Sequence, residues 1–138
     1  MRLDIDQPRS LTEPERRVLD ALLAPDFDGV EDLRAQALVV EVIGGYDCGC
    51  PTIYFVVPPN ARPSDAVATG RRAPVEARVM NGSMELGDVI LLFVDDGLSS
   101  LEYVWVGDAV PTQWPVPEQL AVVLTGSPAQ GRQGRPPA

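Results

Sequence analysis

Val75-Glu76-Ala77-Arg78-Val79 is followed by the turn residues Asn81-Gly82-Ser83, by Asp88-Val89-Ile90-Leu91-Leu92-Phe93-Val94 and, past Asp95-Asp96-Gly97, by Ser100-Leu101-Glu102-Tyr103-Val104-Trp105-Val106. The first run alternates apolar and polar residues without a break, which marks a strand with one wet face. Asn-Gly and Asp-Gly supply the positive-φ positions of tight hairpin turns, so the three runs read as strands laid back and forth. On the last of them Leu101, Tyr103 and Trp105 share one face and Glu102, Val104 and Val106 the other. Both faces are partly apolar, which predicts a central strand or one covered on its second side.

Working outward from there, Leu38 to Ile43 and Thr52 to Val57 are β-branched and aromatic runs joined by Gly44-Gly45-Tyr46-Asp47-Cys48-Gly49-Cys50-Pro51, and they predict a further hairpin. A polar loop from Pro58 to Ala73 leads into the decisive segment. Ahead of the strands, Thr12-Glu13-Pro14-Glu15 has the form of a capping box with proline in the first turn, and it predicts a helix to about Ala24 with Val18, Leu19, Leu22 and Leu23 on its inner side. Asp28, with Glu31 three residues on, predicts a second and shorter helix bearing Val30, Leu33 and Ala37. Downstream, Pro111, Pro115 and Pro117 around Trp114 suit an extended segment lying on the domain surface, and Leu120 to Leu124 suits a last short strand or helical turn.

Helices first and hairpin-linked strands afterwards define an α+β domain, with two N-terminal helices packed on one face of a mostly antiparallel sheet of about five strands. A single domain over residues 1–124 and a mobile Pro-, Gly- and Arg-containing tail over 125–138 are expected.

All 11 basic residues among the 138 are arginine, and lysine and histidine are absent. Histidine-based acid–base catalysis, Ser-His-Asp and Cys-His nucleophilic systems, imidazole metal ligands, Schiff-base lysines and the P-loop lysine are therefore all excluded. The composition, 45% hydrophobic and 22% charged, is that of an ordinary globular domain. The net charge is −9, and up to Leu124 nine arginines stand against 20 acids, or −11. A field of that sign repels phosphate backbones and anionic lipid, so no direct nucleic-acid or membrane partner is expected and a basic protein is. The longest strongly apolar run, Val89 to Val94, suits a buried strand and not a membrane span. Acids in the first residues leave no apolar signal segment, which makes the cytoplasm the default location.

Chemistry is left to thiols and carboxylates. Cys48-Gly49-Cys50 could grip a soft ion with Asp47 as a third ligand, but four-ligand zinc sites want further Cys or His, so the plainer reading is a turn with small residues. A disulfide between positions i and i+2 would close a strained ring. Glu41, Glu102 and Asp108 lie on or beside the expected strands, with surface solubility as the plainer role. Glu102, Tyr103, Trp105, Asp108 and Trp114 gather aromatic anchors and acids within one short span, the composition of a partner-binding surface. The alternative is that Trp105 fills the core and Trp114 pins the proline-rich segment over it.

Leu11-Thr12 with Glu15, Leu33-Arg34-Ala35-Gln36, Cys48-Gly49-Cys50-Pro51, and Leu101-Glu102 to Trp105 with Pro115 behind resemble a family of small uncharacterised actinobacterial, high-GC proteins. The resemblance implies no catalytic residues and no cofactor. The resulting expectation is a non-enzymatic acidic interaction domain, of the immunity or antitoxin type that inhibits a basic toxin. The alternative is a metal-binding or thiol-dependent protein centred on the Cys-Gly-Cys turn.

Overall fold

A computed structural model describes residues 2–59, 72–94 and 97–125. Among these residues two helices, α1 (Glu13–Leu22) and α2 (Val30–Ala37), accompany seven strands. These are β1 (Arg2–Arg9), β2 (Glu41–Tyr46), β3 (Ile53–Val56), β4 (Arg72–Asn81), β5 (Met84–Val94), β6 (Gly97–Trp105) and β7 (Leu120–Leu124). They form one antiparallel sheet in the order β1-β2-β3-β6-β5-β4-β7. The fold is α+β, with seven strands in place of the expected five or so. Of the two additions, β7 follows a short 3-10 turn at Pro117–Gln119, and β1 comes from a segment with no strand signal. The expected tight turn at Asp95-Asp96, most of the expected loop before β4 and the expected tail beyond Thr125 lie outside the described residues.

The capping box forms as its spacing requires. The Glu15 amide donates to Thr12 Oγ1 at 3.3 Å and the Thr12 amide donates to Glu15 Oε1 at 2.8 Å. Val18, Leu19 and Leu22 are fully buried, and the helix stops at Leu22, a little before Ala24. The second helix is not capped by Asp28: Gly29, in the left-handed region at φ 85°, is its N-cap.

Two arginines then tie the helix ends together. Arg34 of α2 donates from Nε to the Leu23 carbonyl at 2.8 Å and from Nη2 to that of Ala24 at 3.0 Å. In return Arg16 of α1 donates to the carbonyl of Ala37 at the end of α2. Each guanidinium satisfies carbonyls that a helix C-terminus leaves without an internal donor.

Val75, Ala77 and Val79 of β4, Val89 and Leu91 of β5, and Leu101 and Tyr103 of β6 enter the core with α1 and α2. The alternating Glu76, Arg78, Ile90, Glu102 and Val104 stay half-buried or exposed. Fully buried Gln36 joins α2 to the sheet by accepting the Leu98 amide at 3.0 Å. The expected strand at Leu38 to Ile43 starts late, at Glu41, because Leu38 and Val39 belong to the exposed turn that ends α2. It also runs on through Gly44, Gly45 and Tyr46, residues expected in the connection.

Two glycines let strands approach closely. A Cβ on Gly87, at φ 151°, would sit 2.3 Å from the Val104 carbonyl, and one on Gly44 would sit 2.7 Å from that of Leu3. Among the described residues no helix is long and apolar enough to cross a membrane.

Candidate functional site

Because β1 lies at the sheet edge and α1 starts only a few residues after it, β1, β2 and the first turn of α1 enclose a trough. The segment Thr112 to Pro117 forms its far wall. The cleft has a volume of about 740 Å³ and is lined by Leu3 and Ile5 of β1, Val42, Gly44 and Gly45 of β2, Thr12 and Glu15 of α1, and Trp114 to Pro117. Trp114 is fixed by stacking on Tyr103, with centroids 6.2 Å apart and planes 21° from parallel, and Pro115 beside it is buried. The Tyr103 amide is in turn held by Thr52 Oγ1 at 3.1 Å. Trp114 Nε1 is buried with no hydrogen-bond partner among the described residues.

At the cleft wall Arg9 grips Glu15 with both guanidinium nitrogens at 2.9 Å. Burial pushes the Glu15 carboxyl up, but the hydrogen bonds from Arg9 and the Thr12 amide and the Arg9 charge outweigh it, so it lies below the usual 4.5. Arg17 likewise pairs with Glu13 at 3.3 Å.

The β2–β3 turn is a second feature. Cys48 and Cys50 are both free thiols, the first exposed and the second buried, and their sulfurs are 2.7 Å apart. Gly49 between them sits at φ 88° with open space where a side chain would be. The hydrogen bond from Cys50 and backbone amides lower the Cys48 thiol, while burial and the Cys48 sulfur raise that of Cys50. A smaller cavity of about 350 Å³ adjoins the pair, between Tyr46, Glu102, Tyr103 and Trp105. Asp47 is exposed on the same turn. Among the described residues no three His, Cys, Asp or Glu side chains gather as a metal site would require.

The expected aromatic and acidic surface is divided. Tyr103 and Trp114 come together, and half-buried Trp105 packs against the core. Glu102 points from β6 with the opposite parity and accepts from Ser100 Oγ at 3.2 Å, and Asp108 is exposed beyond the strand. Glu41 and Glu102 lie on β2 and β6 with β3 between them. Beside Glu102, the Tyr46 and Tyr54 rings meet edge to face at 5.6 Å and Arg2 lies 4.1 Å over the Tyr54 ring. Burial, with Tyr46 and Glu102 adding to it, pushes the Tyr54 phenol up to about 12.

Leu3, Ile5 and Arg9 are cleft residues that the sequence did not signal. Glu15 was legible only as a helix cap. No protein-family model, curated protein or solved structure matches the chain.

Proposed function

We propose that this chain is a non-enzymatic binding domain whose cleft takes an extended, basic segment of a partner protein. An immunity or antitoxin-type protein that covers a basic toxin would act in this way. One observation carries the proposal: apolar side chains on an edge strand face an anchored indole across an open trough. Leu3 is 51% and Ile5 42% exposed, so this wall retains apolar surface for a ligand to cover. The trough exists because both helices, in this reading, pack on the same side of the sheet, α1 against β4 and β7 and α2 against β6. At the far edge this leaves Leu3 and Ile5 of β1 exposed, while Val42, Ile53 and Phe55 of β2 and β3 stay buried.

Among the described residues the outer edge of β1 has no neighbouring strand, and its backbone groups suit an extended chain laid alongside. Charge selects the partner. The net charge is −9, the arginines at the cleft are already engaged by Glu13 and Glu15, and β1 carries the exposed Asp6. A basic segment is therefore attracted and an acidic one repelled.

Selection of a random extended-peptide library on the immobilised protein, followed by calorimetry of the selected peptides, tests this. Arg- and Lys-rich peptides should be recovered. They should bind more weakly at high salt, and at least ~tenfold more weakly to Ile5→Asp, which puts a desolvated charge into the apolar wall. Circular dichroism would check that this exposed-site variant keeps its fold. Selection of acidic peptides, no selection at all, or affinity indifferent to Ile5→Asp would remove the proposal.

A further inference from the structure

We propose that Cys48 and Cys50 form a dithiol–disulfide exchange site for small cationic disulfides, with Cys48 as the attacking sulfur and Cys50 as the resolving one. The chemistry is distinct from peptide binding, although Cys50 also borders the cleft. It rests on the geometry of the β2–β3 turn. The sequence alone argued against a ring closed between positions i and i+2, yet the left-handed Gly49 folds the turn so that the two sulfurs already touch at 2.7 Å. A disulfide needs about 2.05 Å, so closure asks for a shift of well under an ångström between the sulfurs.

The two thiols are also unequal. Cys48 is exposed while Cys50 is only 8% exposed. An incoming disulfide from solvent therefore meets Cys48 first, and Cys50 offers far less of its surface. The lowered Cys48 thiol and raised Cys50 thiol agree with that order.

Balance follows from ordinary thiol chemistry. The Cys48 thiolate attacks one sulfur of R–S–S–R, the Cys48–SR bond forms, and the other sulfur leaves as a thiolate that takes a proton. Cys50 then gives its proton to solvent and attacks the Cys48 sulfur, expelling the second RS⁻. In sum, the protein dithiol gives up two electrons and two protons, and R–S–S–R becomes two RSH.

Charge sets the substrate class. The adjoining cavity, about 350 Å³, is lined by Tyr46, Glu102, Tyr103 and Trp105, with Glu102 as its acid. Arg2, over the neighbouring Tyr54 ring, is paired with Asp4 at 2.9 Å. Such surroundings in a protein of net charge −9 favour an aminothiol disulfide such as cystamine and repel the anionic glutathione disulfide.

The reduced chain is treated with cystamine or glutathione disulfide, quenched with acid, alkylated and analysed by mass spectrometry. Expected for the wild type is an intrachain Cys48–Cys50 disulfide with no persistent adduct, formed faster with cystamine. Cys50→Ser should stop at a mixed disulfide on Cys48. Cys48→Ser should react at least about tenfold more slowly, because its remaining thiol is buried. A persistent wild-type adduct, equal rates for the two variants, or faster reaction with glutathione disulfide would overturn the proposal. If a serine variant does not fold, limiting iodoacetamide on the wild type decides instead, Cys48 labelled first in support and Cys50 first against. Because the readout is covalent, it is independent of whether peptides bind the cleft.

Discussion

Glu15 does three jobs from one buried position. It closes the capping box with Thr12, neutralises Arg9 and forms part of the cleft wall. The first was legible because a capping box is a relation over three residues. The second was not, because Arg9 lies six residues away with no periodicity between them, and only the fold brings the two together. The pH behaviour follows from the lowered carboxyl. Its contribution to stability is fully present above the unfolded value of 4.5 and is lost as pH falls through the still lower folded value. Glu15→Gln keeps a capping amide but removes the charge. It should cost about 1 kcal/mol at neutral pH, the ion pair being screened through the half-exposed Arg9. It should also flatten the acid limb, so that urea midpoints of variant and wild type converge between about pH 5 and about pH 3. A constant gap across that range would show that the ion pair does not set the acid limb.

Between elements, the joints are made by polar side chains that hydrophobic patterning does not reveal. Gln36 looked like one more residue of a short helix, yet it is fully buried and holds the amide of Leu98, 62 residues away. Gln36→Leu has nearly the same volume but leaves that buried amide without its acceptor. A loss of about 1–3 kcal/mol is expected, read as a lower urea midpoint with unchanged slope. The central strands were legible because alternation and Asn-Gly or Asp-Gly turns are local signals. The errors have physical causes of the same kind. Leu38 and Val39 are β-branched or bulky, but the exposed end of α2 claims them before β2 begins. The β1 strand is exposed along its whole length, so no buried face imprints a period on its sequence. It is a strand because β2 pairs with it and Gly44 lets it come close.

For the whole molecule, composition excludes histidine- and lysine-based machinery but cannot locate a binding site. The cleft depends on strand order, in which β1 is added outside β2, and strand order is a long-range property that no single segment of the sequence contains. The two tryptophans fall on either side of this division. Trp114 borders the cleft and Trp105 the small cavity beside the thiols. The protein thus carries two optical reporters, one at each proposed site. In Trp105→Phe, emission from the remaining indole should shift when a peptide fills the cleft and respond more weakly to oxidation than Trp105 does. In Trp114→Phe, emission should dim as a disulfide forms, since disulfides quench nearby indoles, and should ignore the peptide. Ultraviolet emission from unlabelled protein would then follow cleft occupancy and thiol oxidation separately, each in its own single-tryptophan variant.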